Sequence, residues 1–424
     1  MAYGVRAAAE AQDHAAGLVR VLDAVRLGRV TTKPEAVRFT GMGRNAVTQR
    51  VTQLVDAGLL AKGQLQRSTG GRAPRGLHFN AEAGRLLVAE LGITSLGVAI
   101  SDLGGTLLVQ HEEPAEVSDG PVPILTRVAE RWEQLLGSRD DGVAIWGIGI
   151  GLPGPVEFAT GRPVAPPVMP GWDDFEVRSF LSDRFHAPVW VDNEVNVMAL
   201  GELRAGLAQG QSDLVYVKVG SGIGAGLVTK GSLHRGAQGC AGDIGHVTVE
   251  ESATVLCRCG KYGCLEALAG GAAIARDAES AALEGRSNFL AAALERDGRL
   301  EAKTVSDAAT HGDPVAIDLL ARSARLVGVT MARMVNFFNP SLVLVGGGVS
   351  RAGDAYLAEI RQTIISRSLP LATRSLQISR SPLGDQAGLR GAAFMAADAL
   401  LSPEILPKWL PDGSPAGRTE LMAG

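Results

Sequence analysis

The chain has 424 residues, of which 46% are hydrophobic, 20% charged and 4% aromatic, enough for two or three domains of about 100–200 residues each. This composition excludes a disordered chain. The scattered 54 Gly and 20 Pro exclude a collagen-like repeat, and no apolar run reaches the roughly 18 residues of a transmembrane helix. Glu10 and Asp13 sit where a signal peptide would be apolar, and four cysteines make no disulfide framework, so a reducing cytoplasmic setting is expected.

The net charge of −4 is unevenly spread. Residues 1–85 hold 13 Lys/Arg and 6 Asp/Glu, a balance of +7, and the remaining 28 basic and 39 acidic residues make −11. A basic N-terminal module on an acidic body suggests that one part meets a polyanion and the other does not.

Leu18, Val21, Leu22 and Val25 share one helical face. A short second helix is expected from Lys33-Pro34 to Phe39, followed by the turn Thr40-Gly41-Met42-Gly43. A third helix, about Arg44 to Ala57, has Val47, Val51, Leu54 and Val55 at helical spacing, with Gly58 closing it as a C′ residue. Arg44, Asn45, Thr48, Gln49 and Arg50 are its candidate DNA-binding residues, since such groups hydrogen-bond base edges and phosphates in a major groove. Leu59–Lys62 and Leu77–Phe79 read as strands of a hairpin. Its tip, Arg67-Ser68-Thr69-Gly70-Gly71-Arg72-Ala73-Pro74-Arg75, is thin and cationic, and Arg72 is the residue suited to a narrow minor groove. The pattern is that of a winged helix-turn-helix; many three-helix cores bind nothing, and the basic wing is what favours DNA.

From Arg85 the texture changes to strands, crossover helices and glycine turns, which argues α/β. Leu86–Leu91 and Leu96–Ile100 are expected strands, then Leu107–Gln110, a helix around Ile124–Leu136, and a strand Ala144–Ile150. Gly220–Gly226 follows the strand Leu214–Val219, and Gly346–Gly348 follows Leu342–Val345. Either turn lets backbone N–H groups approach an anion, or is simply tight. Asp192-Asn193-Glu194 opens a helix after the strand Val189–Val191. It is either a polar ligand site, together with Asp243, His246 and Glu266, or a helix cap with surface carboxylates. His246, Cys257, Cys259 and Cys264 form a set of one imidazole and three thiolates suited to a closed, structural zinc site. Cys240, outside that set, is expected to be buried as a small apolar residue.

Together with Gly147–Val156, Ala241-Gly242-Asp243-Ile244-Gly245-His246, Cys-x-Cys-x4-Cys before Leu265-Glu266, and Asn339-Pro340, these motifs make residues 15–400 resemble the ROK family of repressors, open reading frames and kinases. The resemblance implies an α/β fold, a winged helix-turn-helix followed by a two-lobed actin-like, sugar-kinase-like body. It implies zinc on His246, Cys257, Cys259 and Cys264, and sugar hydroxyls on Asn193, Glu194, Asp243, His246 and Glu266. Members with the winged helix are mostly regulators of sugar use; those without it are mostly sugar kinases. This sequence departs from the kinases: Glu90 and Ser95 stand where they have Asp and Lys, Glu194 stands at the position of the catalytic base, and Asp243 replaces a Glu. The wing has Ala73 where the family usually has Pro.

The expected organisation is a DNA-binding domain over residues 1–84, an effector-binding and oligomerising body over 85–405, and a tail over 406–424. The expected function is a sugar-responsive transcription regulator, a repressor and not an enzyme. Its partners would be operator DNA and a sugar or sugar phosphate, with no membrane, and it would assemble as a homodimer or homotetramer. The alternatives are an ATP-dependent sugar kinase carrying a DNA-binding domain and a regulator that answers to a partner protein.

Overall fold

The computed structural model describes residues 2–65, 75–139 and 141–422. It begins with α1 (Ala2–Arg26), α2 (Lys33–Thr40) and α3 (Arg44–Asp56), followed by an antiparallel pair, β1 (Leu60–Leu65) and β2 (Arg75–Phe79). Thr32 caps α2 by accepting from the Glu35 N–H, and Gly41, at φ +71°, ends it. Gly58, at φ +74°, supplies the left-handed turn after α3. Leu18, Val21 and Leu22 of α1 meet Val47, Val51 and Leu54 of α3 in one apolar core that also takes in Leu60 and Leu77 of the hairpin. The wing tip with Arg72 lies outside the described residues.

The body repeats one sheet topology. The first lobe contains β3 (Arg85–Leu91), β4 (Ser95–Ser101), β5 (Leu107–Pro114), α4 (Pro121–Ser138), β6 (Ile145–Leu152), a short ribbon of β7 (Val156–Glu157) and β8 (Arg162–Pro163), α5 (Val177–Phe185), β9 (Val189–Asn193) and α6 (Glu194–Ala205). Its sheet order is β5-β4-β3-β6-β9. The second lobe contains β10 (Leu214–Val219), β11 (Ile223–Thr229), β12 (Ser232–His234), α7 (Leu265–Ala269), α8 (Gly271–Leu283), α9 (Asn288–Asp297), α10 (Ala302–Thr310), α11 (Pro314–Phe338), β13 (Leu342–Gly346), α12 (Asp354–Arg367), α13 (Pro370–Thr373) and β14 (Gln377–Arg380). Its sheet order is β12-β11-β10-β13-β14, the same arrangement of an antiparallel ribbon beside parallel strands.

After β14 the chain returns as α14 (Gln386–Leu400), which covers β3, β4 and β6 of the first sheet and lies along α6. The α6–α14 contact is backbone to backbone. A Cβ on Gly201 would run into Ala387 O, and one on Gly391 into Val197 O. Strand alternation sorts the first sheet: Leu86 and Val88 face this helical layer, while Leu87, Ala89 and Leu91 face the core under α4.

Residues 406–422 do not trail away as a tail. In α15 (Leu406–Trp409) both terminal residues are fully buried. The Trp409 ring meets Trp146 at 5.2 Å between centroids, its Nε1 donates to Leu400 O at 2.9 Å, and α15 touches α1. Large apolar side chains close to the end of a sequence lower their exposed area only by packing back on the domain. No helix among the described residues is long and apolar enough to cross a membrane.

Candidate functional site

On α3, Arg44, Asn45, Thr48 and Gln49 are exposed on one face, while Val47, Val51 and Leu54 are buried on the other. Arg50 departs from the expectation. It is 7% exposed, its guanidinium fills the space over Gly17 of α1, and its Nη1 donates to Ala46 O at 3.4 Å. Position 50 follows Val47 by three and precedes Leu54 by four, so the helical period turns it inward, away from any duplex.

The two lobes enclose a cleft of about 960 Å³ lined by the β3–β4 link, Gly220–Gly222 and Gly347–Gly348. At its inner end a smaller pocket brings together Asn193, Glu194, Asp243, His246 and Glu266. Each arrives on a different device. Asn193 caps α6: its Oδ1 accepts from the N–H of Val195 (2.9 Å) and Asn196 (3.4 Å), while its Nδ2 donates to Gly154 O at 2.8 Å. The residue that caps α6 thus also lines the pocket. Glu266 begins α7, and its carboxylate accepts from the Ile223 N–H at 3.1 Å. Burial, reinforced by Asp243, raises its pKa against that hydrogen bond, His246 and Arg258. Asp243 is exposed towards the pocket. Cys240 is exposed too and lines the same pocket, contrary to the burial expected of it; the turn around Gly239 and Gly242, both at positive φ, holds it outside the core.

His246 also belongs to the cysteine loop. The ligand atoms of His246, Cys257, Cys259 and Cys264 all lie within 4.8 Å of one another. His246 Nδ1 is 3.5 Å from Cys257 Sγ, and Cys259 Sγ is 3.6 Å from Cys264 Sγ. A tetrahedral zinc with bonds of about 2.3 Å to sulfur needs edges of about 3.8 Å between sulfurs, so the donor set fits one metal ion. Burial and the two neighbouring sulfurs push the Cys264 thiol up to about 12. With Nδ1 turned to this quartet, Nε2 is the ring atom left for the pocket.

Two residues that sequence reasoning missed, Lys218 and Arg235, support these groups. Lys218 of β10 is ion-paired with Glu194, their side chains only 15% and 10% exposed, and it faces Glu90 of β3 across the lobe boundary. Burial lowers the pKa of the Lys218 ammonium, but Glu194 and Glu90 outweigh this and leave it above its usual value. Burial pushes the Glu90 carboxyl up to about 8; Lys218 opposes this, and Glu194 and Glu112 add to it. Asp192, 1% exposed, accepts from Asn196 Nδ2 at 2.9 Å and from Arg235 Nε at 2.7 Å, and Arg235 stacks on Phe158 at 3.7 Å. Arg235 thereby ties the loop leading to Asp243 and His246 to the end of β9. The one available signal was Lys218, a lone charge within the apolar run Leu214–Val219; nothing local marked Arg235.

The ROK family model matches residues 87–399, nearly three quarters of the chain. The chain belongs to the ROK family. A ROK transcriptional regulator, described as a homologue of the E. coli Mlc protein, superposes with a TM-score of 0.80 at 26% identity, over 94% of this chain and 100% of its own. The xylose repressor of Caldicellulosiruptor bescii is 28% identical over 386 residues, 91% of this chain and 96% of its own length. The glucokinase of Halalkalibacterium halodurans is 34% identical over 307 residues, 72% of this chain and 93% of its own. ROK relatives of this chain thus include both regulators and kinases.

Proposed function

We propose that the chain is a sugar-responsive DNA-binding transcription regulator, a repressor, that does not phosphorylate its sugar. The observation that carries this is the extent of likeness. The regulators match over 91% and 94% of the chain, whereas the glucokinase uses up 93% of its own length on 72% of it. The surplus in this chain is about the size of the N-terminal helices and hairpin. Four exposed polar side chains on α3, Arg44, Asn45, Thr48 and Gln49, suit base edges and phosphates. Arg72 would reach the minor groove from the wing.

In the inner pocket, Glu194, Asp243 and Glu266 offer acceptors to sugar hydroxyls, and His246 Nε2 and Asn193 offer further polar contacts. Zinc on His246, Cys257, Cys259 and Cys264 would hold the imidazole and its loop in place, with no position open for a substrate. Sugar contacts on both lobes favour their closed arrangement, and the difference in affinity between open and closed states is what can change DNA binding.

Phosphoryl transfer needs a free base and a cation at the moving phosphate. Here Glu194, at the base position, is held by Lys218, and Ser95 supplies no charge on the hairpin. The test uses purified full-length chain on a duplex selected by the chain from a random library, with a panel of aldopentoses, aldohexoses and their phosphates. A sugar that shifts DNA affinity, with ADP release from Mg-ATP well below about 1 s⁻¹, is expected. Sugar-dependent turnover at or above that rate would make the chain a kinase.

A further inference from the structure

We propose that Asp398 is the junction through which sugar occupancy reaches the DNA-binding unit; this rests on the function proposed above and names the residue that couples its two sites. Asp398, near the end of α14, accepts from Arg26 of α1 at 2.5 Å and is ion-paired with Arg204 of α6. One carboxylate thus holds the last turn of the first DNA-binding-unit helix and the last turn of the helix whose opposite end carries Asn193 and Glu194.

The intervening structure is stiff. Helix α6 has twelve residues, ten of them buried, and it meets α14 through Gly201 and Gly391 with no room for a side chain between them. A displacement imposed at the sugar end of α6 is carried by α6 and α14 together as one body. It then arrives at a contact that can rearrange. Arg26 is 8% exposed, and its Nε and Nη1 are buried with no hydrogen-bond partner; the same holds for Arg204 Nε. The cluster therefore holds more donors than acceptors. Arg26 has a second acceptor within reach, Asp23, one helical turn back at 3.3 Å, whose burial raises its pKa against the pull of Arg26. Arg26 can hold Asp398 and Asp23 together, as here, or Asp23 alone if α14 shifts away. Two discrete arrangements of one cation are the kind of element that coupling between distant sites requires. Helix α15, whose Trp409 Nε1 donates to Leu400 O of α14, also touches α1.

The test compares wild type, Asp398→Asn and Arg204→Gln as full-length chains. Operator affinity is measured with and without the aldose that moves the wild type, and aldose affinity is measured by calorimetry. Both variants should keep sugar-free operator affinity and aldose affinity within about threefold of wild type, as for substitutions away from a binding surface. The sugar-induced change in operator affinity, about 5–150-fold for coupling of ordinary size, should fall below about threefold. Full coupling retained in either variant overturns the junction. So does an equal loss of operator affinity with and without sugar, which would make Asp398 only a strut. If Asp398→Asn melts early, Arg204→Gln, which leaves the Arg26–Asp398 contact intact, decides alone. A wild type that no sugar affects removes the proposed function itself, an outcome distinct from a responsive wild type with an equally responsive variant.

Discussion

Replacing Lys218 with Met tests the reading of the cleft floor most directly. The substitution keeps an unbranched chain one atom shorter and removes the ammonium, leaving Glu194 and Glu90 facing each other with no cation between them. Breaking a buried ion pair by deleting one partner costs about 3–5 kcal/mol, because the remaining charge stays desolvated. A carboxyl can avoid that cost by keeping its proton, so the loss depends on pH. In the folded variant the pair therefore holds one proton more than in wild type, whereas carboxyls of the unfolded chain titrate at about 4.3. Stability associated with a raised carboxyl pKa is present at low pH and lost as pH rises towards the folded value. One extra proton held between pH 5 and pH 8 amounts to about 4 kcal/mol at about 1.4 kcal/mol per pH unit, which agrees with the cost of the broken pair. Thermal melting of wild type and Lys218→Met at both pH values reads this out. At about 2–4 °C per kcal/mol for a lobe of this size, the variant should melt about 8–16 °C below wild type at pH 8 and close to it at pH 5. Equal deficits at the two pH values would refute the buried carboxylate pair.

Cys259→Ser should lower bound zinc, measured by atomic absorption, and the melting temperature together; full stability without metal would rule out a structural ion. Gln49→Ala should relax base preference at one position of the selected duplex by about 1–3 kcal/mol, read from competition with single-base variants. Arg50→Ala should leave base preference unchanged and lower thermal stability, since its guanidinium packs on Gly17. Trp409→Ala should destabilise by about 3–5 kcal/mol, because it removes a fully buried ring and leaves Leu400 O without its donor; a melting curve like that of wild type would contradict the packing described.

Much of this was legible in the sequence because local periodicity and spacing carry it. Val47, Val51 and Leu54 fix the buried face of α3, and Gly58 fixes its end. Three cysteines within eight residues could meet one histidine with little freedom. Asp243, His246 and Glu266 lay close to glycines, and Asn193 and Glu194 lay at the end of an apolar strand. What stayed hidden depends on contacts remote in sequence. Glu90, Glu194 and Lys218 come from three strands or helix ends, and no spacing pairs them. Arg50 was read by its charge when its helical phase already turned it inward. Cys240 was read by its chemistry, although a loop of positive-φ glycines holds it at the surface. The burial of Trp409 needed Trp146, which is more than 250 residues away.

The return of α14 to the first sheet has a consequence for how the protein is made. Leu86 and Val88 belong to the face that α14 covers, and β9, the last strand of that sheet, ends at Asn193, whereas α14 begins at Gln386. A ribosome adding about 5–20 residues per second spends about 10–40 s between the two. Throughout that interval the nascent chain presents an uncovered apolar sheet while the whole second lobe is still being synthesised. Premature termination after β14 would leave a chain with every strand in hand and one sheet permanently bare. Such fragments should partition to aggregates or to chaperones, and yields of this protein should respond to translation speed over this stretch more than over the N-terminal unit.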